Sequence, residues 1–286
     1  LTLKIDDSTA GRAVKSLLKR ELTASDAHIS RLKRREDGLL LNGKRCYVTA
    51  RVQAGDVLSM EIGDEPDGHI VPMTFSLDVR FEDEYLLVID KPAGIAVHQS
   101  TRDHEELTLE NAVCAYLGGC ISPHPVSRLD RGTTGLMLFA KSGYLHERLR
   151  RAQHTGAFLR IYQAIAVGRV EPACGRIERP IGLAEGSTYR RAVMPDGAPA
   201  RTEYRTLAYS DRLTLLELLP ETGKTHQLRV HLSSIGFPLA GDWLYGERND
   251  ALIPRPALHS CRLALTHPIT GERIELVSEL PEDMRA

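Results

Sequence analysis

SRLDRGTTGLMLF, Ser127 to Phe139, carries a polar loop with three charged side chains directly into an apolar strand. A strand fixes its backbone while the adjoining loop stays accessible, so a side chain delivered this way is held still and left open to a partner. Asp130 is the single carboxylate of the stretch. Two readings are open from these residues alone. Arg128, Asp130 and Arg131 form a surface ion-pair cluster around a turn, or Asp130 is a nucleophile or base kept ionised by the hydroxyls and backbone amides of RGTTG.

Working outward, the 286 residues suffice for one large or two ordinary domains. The composition is that of a globular protein, 42% hydrophobic and 26% charged. No apolar run approaches the 18 or so residues of a membrane-spanning helix. LTLKIDDSTAGR has no apolar segment after a basic start, so no secretory signal is read; a soluble, cytoplasmic protein is expected, and the initial Leu points to a trimmed end. The five cysteines, Cys46, Cys114, Cys120, Cys174 and Cys261, never form CxxC, which favours reduced structural thiols. His226 and His231 are five apart and HExxH is absent, so no metal is expected. Walker, GxGxxG and GxSxG motifs are absent too, which argues against nucleotide hydrolysis, hydride transfer and serine-hydrolase chemistry.

The net charge of −1 conceals an asymmetry: between residues 12 and 51, eleven basic side chains face four acidic ones. Val14, Leu17, Leu18 and Leu22 share one face of a helix predicted over 11–22, and Ser25 caps a second one bearing Arg31, Lys33, Arg34 and Arg35. A strand, an Asn42-Gly43 turn carrying Lys44, and more strand broken at Ala54-Gly55-Asp56 complete a unit ending near Gly63. Residues 64–75 have the proline, glycine and acid content of a linker. From 76 to 286, YLLVIDKP, GLMLFAK, IYQAIAVG, RLTLLELL and the hairpin HSCRLALTHPITGERIELV read as strands, with helices at LTLENAVCAYL and, capped by Ser142, at GYLHERLRRAQ. With no fixed-period crossover repeat, the fold class expected is α+β: a mixed, mainly antiparallel sheet with peripheral helices and a small N-terminal unit.

Two further segments carry candidate chemistry. In ETGKTHQLRVHLSSIG, Leu228, Leu232 and Ile235 recur at helical spacing behind a Thr225 cap, which puts Arg229 beside the buried stripe. There it forms a fold-stabilising ion pair or keeps a catalytic acid charged. In RIYQAIAVG, Tyr162 shares a face with Ala164 and Ala166, leaving its ring to pack in the core or to meet a planar partner.

Taken in order, SRLDRGTTGLMLFAKS, RIYQAIAVG and TGKTHQLRVHLSSIGFPLAGDWLYG resemble the signature motifs of RluA-type pseudouridine synthases; FEDEYLLVIDKPAGIAVHQS and ALHSCRLALTHPITGE add to the likeness, which covers roughly 76 to 286. The N-terminal unit (1–63) resembles the small RNA-binding module shared with ribosomal protein S-four. The resemblance implies a cofactor-free, metal-free isomerisation of uridine to pseudouridine in structured RNA, ribosomal large-subunit RNA in the first place. It implies Asp130 as nucleophile or base, Tyr162 as the ring beneath the base and Arg229 as the partner of Asp130. Arg128 would fill the stack vacated by the everted uridine. Arg131, Thr134, His226 and, in the N-terminal module, Arg12, Arg31, Lys33, Arg34, Arg35 and Lys44 are the expected RNA contacts, with Arg190, Arg191 and Arg201 as further phosphate ligands. Ser127 stands where the family usually has His, Lys224 where Arg is frequent and Thr134 where Ser is common. A monomer is expected, and removing Arg229 is expected to cost activity more than fold. The competing expectations are a noncatalytic ribosome-assembly factor that keeps the fold, and a synthase acting on transfer RNA or small-subunit RNA.

Overall fold

The computed structural model describes residues 1–64, 70–99, 106–119, 121–153, 155–247 and 252–285; Cys120 and residues 65–69 of the expected linker lie outside them. The N-terminal unit contains β1 (Thr2–Lys4), α1 (Val14–Arg20), α2 (Asp26–Leu32), β2 (Leu39–Leu41), β3 (Lys44–Arg45) and β4 (Val57–Met60), its strands ordered β1-β4-β2-β3 and all antiparallel. Ser25 caps α2 by accepting the His28 N–H, as its position predicts. Asn42 and Gly43, both at positive φ, make the turn between β2 and β3.

Beyond that turn the structure differs from the expected strand. Past Lys44, Arg45 and one more bond from the Cys46 N–H to the Leu39 carbonyl at 3.2 Å the pairing stops, and α1, which has no side-chain cap, needs acceptors for its first amides. The carbonyls of Ala50 and Val48 supply them, taking the N–H groups of Val14 and Lys15 at 2.9 and 2.8 Å, so residues 46–52 wrap the helix instead of extending the sheet.

The remainder comprises β5 (Asp78–Glu82), β6 (Leu86–Lys91), α3 (Leu109–Tyr116), β7 (His124–Pro125), β8 (Thr134–Ala140), α4 (Gly143–Ala152), β9 (Phe158–Val167), β10 (Cys174–Glu178), β11 (Ile181–Leu183), β12 (Arg191–Val193), β13 (Arg201–Tyr209), β14 (Leu213–Pro220), α5 (Gln227–Ser234), β15 (Leu258–Thr266) and β16 (Arg273–Val277). A large sheet runs β10-β13-β14-β9-β15-β8-β6-β5, with β16 on β15 and β7 on β8. Its pairs are antiparallel apart from β15 with β8, where His259 and Ser260 meet Thr134 and Gly135 in parallel. The mixed, mainly antiparallel α+β architecture is the one the strand patterns predict. β6 and β8 are apolar and buried on both faces, whereas β14 alternates, burying Thr214, Leu216 and Leu218. No helix among the described residues is long and apolar enough to cross a membrane.

The N-terminal unit rests on the large sheet rather than hanging from a tether. Leu18, Leu22 and Ile29 belong to the same apolar cluster as Leu145, Leu149 and Leu138. The Tyr144 hydroxyl donates to the Leu22 carbonyl at 2.5 Å, and the His28 and Tyr144 rings lie 5.0 Å apart. Asp64, at the start of the expected linker, accepts from Arg31, from His124 Nε2 at 2.6 Å and from the first amide of α4 at 2.7 Å. Further along, Asn111 of α3 donates to the Val71 carbonyl and accepts the Met73 N–H on its own carbonyl. On either side of residues 65–69, therefore, Asp64 and the Val71–Met73 stretch are fastened to the larger unit.

Candidate active site

Asp130 follows buried Leu129 in the turn between β7 and β8, and the Thr133 N–H closes that turn on the Asp130 carbonyl at 3.0 Å. The turn is anchored from beneath by Lys91, the last residue of β6, which is 1% exposed. Its ammonium donates to the carbonyls of Pro92, Arg131 and Thr133 at 2.7, 3.1 and 3.0 Å, the last two just after Asp130 in sequence. Burial brings the Lys91 pKa down to about 7, with Asp130 pulling the other way. Gly135 fixes the far end of the turn. Its φ is +107° and a Cβ there would stand 2.3 Å from the Ser260 carbonyl oxygen, so only glycine lets β8 approach β15 closely enough to form the parallel seam.

Arg229 comes from α5, a helix buried from Gln227 to Leu232, so Arg229 does not flank a stripe as its spacing predicts but sits inside the fold. Its Nη1 donates to Asp130 Oδ2 at 3.0 Å, while Nε and Nη2 grip Asp242 at 2.7 and 2.8 Å. Asp242 is wholly buried and also accepts the N–H groups of Leu244 and Tyr245 at 3.1 and 3.3 Å. Burial works against the charge on Arg229; Asp242 first and Asp130 second more than offset it, so its pKa rises. Arg229 is thus paired twice, with buried Asp242 and with Asp130. Removing it strands a buried carboxylate, so its loss is expected to cost stability as well as activity. Gly241, at φ +68°, has the Arg255 carbonyl oxygen 2.2 Å from where a Cβ would lie, and thereby brings Asp242 under the guanidinium.

Asp130 and Arg229 open onto a cavity of about 830 Å³ whose apolar wall includes Tyr162, Leu129, Leu228 and Leu258 and whose polar wall includes Arg128, Arg150, Arg160, Lys224 and His226. Tyr162 lies on β9 between Ser260 and Leu218, 6% exposed, with buried Ala164 and Ala166 continuing its face. Burial raises its phenol pKa, so the ring is neutral. A carboxylate paired with a guanidinium beside a planar apolar wall, under a rim of cations, suits an anionic polymer that offers a flat, uncharged group.

Residues 85–234, which carry all three of these side chains, match the RNA pseudouridylate synthase family. The chain belongs to that family. It is 35% identical over 290 residues to the RNA pseudouridine synthase YhcT of Bacillus subtilis (strain 168), covering all of this chain and 95% of that protein, and 38% identical over 261 residues to the ribosomal large subunit pseudouridine synthase D of Yersinia pestis, covering 85% and 80%. Among solved structures, human RNA pseudouridylate synthase domain containing 4 superposes with a TM-score of 0.58 at 26% identity, over 73% of this chain and 90% of that one. These proteins are isomerases, and so is this synthase.

The structure distributes the remaining expected contacts unevenly. Arg128 is exposed at the cavity rim, donating to the Thr225 hydroxyl at 3.3 Å, and Lys33, Arg34 and Lys44 are exposed on the N-terminal unit. Arg131 is exposed but paired with Glu106; Arg12 pairs with Glu21 at 2.8 Å, Arg35 with Asp37 at 3.8 Å and Arg201 with Glu221 at 2.9 Å. Two expectations are corrected. Thr134 is buried, its hydroxyl turned into the sheet within 2.9 Å of His259 Nδ1, and so does not face RNA. Arg31 uses its guanidinium on Asp64 and His28 at the junction of the two units. The helix cap also moves: His226, in the left-handed region, and not Thr225, precedes α5. Lys91, Asp242 and Tyr245 are the site residues sequence reasoning missed; a lysine closing an otherwise apolar strand was the available signal for the first.

Proposed function

We propose that this synthase isomerises uridine to pseudouridine in large-subunit ribosomal RNA, with Asp130 as the nucleophile or base, Tyr162 as the surface on which the uracil turns, and Arg229 as the group that keeps Asp130 charged and aimed. The observation that carries this reading is the Asp130–Arg229 pair, 3.0 Å apart, opening onto a cavity with Tyr162 in its wall. The reaction breaks the bond from ribose C1′ to uracil N1, turns the base and rejoins it through C5. It needs a carboxylate in a water-poor pocket and a flat wall, and transfers nothing to water.

A uridine in structured RNA must be everted to reach Asp130, at a cost of a few kcal/mol. Arg128 at the rim is placed to take its room in the stack, while Arg150, Arg160 and Lys224 line the cavity and meet phosphates. Residues 1–63 act as an S-four-type RNA-binding domain joined through 64–75 to the catalytic domain at 76–286, and Lys33, Arg34 and Lys44 extend the phosphate-binding surface. The relatives named for the ribosomal large subunit support the substrate class. The test is tritium release from C5-tritiated uridine in large-subunit RNA, small-subunit RNA and transfer RNA. Release confined to large-subunit RNA is expected; release confined to either of the others would overturn the substrate assignment.

A further inference from the structure

His226 is held in two ways that α5 itself does not require. Its φ of +57° is one that L side chains rarely adopt, and such strain gathers where a side chain must be aimed. Its ring is mostly buried yet lines the cavity, with Nδ1 at 2.8 Å from the Tyr245 hydroxyl and Nε2 at 3.9 Å from Asp130 Oδ1.

The hydrogen bonds around the ring favour one position for the imidazole proton. The Tyr245 hydroxyl accepts the backbone N–H of Arg191 at 2.9 Å, and His226 Nδ1 at 2.8 Å is in reach of its own proton, so we assign this bond as O–H to Nδ1. Nδ1 is thus an acceptor, and the proton is on Nε2. Asp130 at 3.9 Å is beyond a hydrogen bond, and no other acceptor among the described residues takes that proton. Burial lowers the His226 pKa; Asp130 opposes this and Arg229 adds to it. The result is a neutral N–H donor, fixed in tautomer and orientation, with its proton unspent beside the reacting carboxylate. Neutrality matters, because an imidazolium here would compete with Arg229 for Asp130.

We propose that His226 holds the uracil while it is detached, its Nε2–H donating to a carbonyl oxygen of the base. This rests on the isomerase reading of Asp130. When N1–C1′ breaks, its electron pair leaves with the base as a uracil anion, and C1′ is satisfied either by an Asp130 oxygen or by a double bond to C2′ after Asp130 takes the C2′ proton. On return, an electron pair of the base forms C5–C1′ as the C1′–O bond to Asp130 breaks and its electrons go back to the carboxylate, or as the C1′=C2′ pair takes back at C2′ the proton Asp130 holds; the C5 proton is then released to solvent and N1 gains one. The charge on the uracil oxygens exists only between these events, so a donor aimed there strengthens as the base detaches and prevents its escape. His226 changes protonation at no stage.

The experiment measures single-turnover pseudouridine formation, RNA affinity and free uracil for the full-length protein and two variants. His226→Asn suits the left-handed backbone but withdraws the donor; His226→Gln returns a donor at similar reach. For His226→Asn, the expected results are a rate lowered about 100-fold, affinity within about twofold and free uracil in solution, with His226→Gln recovering at least about tenfold. An unchanged rate in His226→Asn, a loss entirely in RNA affinity, or a Gln variant no better than Asn would overturn the inference while leaving the isomerase reading intact. Wild-type protein that forms no pseudouridine would overturn both. Histidine ¹⁵N spectra of the wild type, with His226 assigned by its absence from His226→Gln, are expected to show the Nε2–H tautomer; the Nδ1–H form would overturn the inference on its own.

Discussion

Replacing Arg229 by Met separates its two roles, because the guanidinium divides its bonds between a buried and a partly exposed carboxylate. Asp242, which receives two of the three, is fully buried, whereas the Asp130 side chain is 26% exposed. In Arg229→Met, the partners Asp242 keeps among the described residues are the Leu244 and Tyr245 amides. Breaking a buried pair by removing one partner costs about 3–5 kcal/mol. For a chain of this length a kcal/mol is worth roughly 2 °C, so calorimetry is expected to show the melting temperature falling by about 6–10 °C. In Arg229→Met/Asp242→Leu the stranded charge is gone and at least half of that loss returns, since an apolar replacement of a buried pair is close to neutral. Pseudouridine formation stays absent in both. Asp130→Asn is the counterpart: Arg229 remains clamped by Asp242, stability changes by less than about 1 kcal/mol, and activity falls by about 1,000-fold or more. A single variant with the wild-type melting temperature, or a double variant that turns over RNA, would refute the division of roles.

Three other outcomes follow from the same geometry. His28 is held neutral in the junction between the units, with its pKa brought down to about 4 by burial and then by Arg31; because the unfolded chain takes the proton first, stability is full above pH 6.5 and declines by up to about 3 kcal/mol as the pH falls toward 4. Asp64 opposes burial through His124 and the Gly143 amide, which hold its pKa at about 2, so its contribution is present above pH 3.8 and is lost only below that; urea titrations from pH 7 to 3 on wild type and His28→Phe should show the first decline vanish in the variant, and an unchanged decline would contradict the assignment. Replacing exposed Lys33, Arg34 and Lys44 by Gln should make the salt dependence of RNA binding shallower by about two units of log–log slope, with melting unchanged; a parallel loss at all salt concentrations would argue against phosphate contacts. Gly135→Ala combines a backbone strain with a clash against Ser260, about 2–6 kcal/mol in all, and a stable, active variant would show that the β8–β15 seam does not set the Asp130 loop.

Much of this was legible in the chain because it is local. Apolar runs placed β6 and β8, alternation placed β9 and β14, and Ser25 and Ser142 announced the helices they cap. Motif order brought Asp130, Tyr162 and Arg229 together before any coordinate did. What was not legible depends on where the chain returns. Nothing near Asp242 says that it lies under Arg229, thirteen residues earlier, and nothing near Lys91 says that its three acceptors include the carbonyls of Arg131 and Thr133. Thr134, an expected RNA contact by the family resemblance, is the first residue of β8, where the parallel seam turns its hydroxyl toward His259. Asp64 belonged by composition to a linker, and only the folded junction makes it an acceptor for Arg31, His124 and α4 at once.

On the proposed reading one carboxylate, Asp130, performs the isomerisation in a pocket that binds RNA without it. The most direct measurement is tritium release from C5-tritiated ribosomal RNA by wild type and Asp130→Asn, with RNA affinity determined on the same preparations. Release by the wild type, none by Asp130→Asn, and equal affinities are the predicted result. Release by Asp130→Asn at a rate near the wild type's would contradict it.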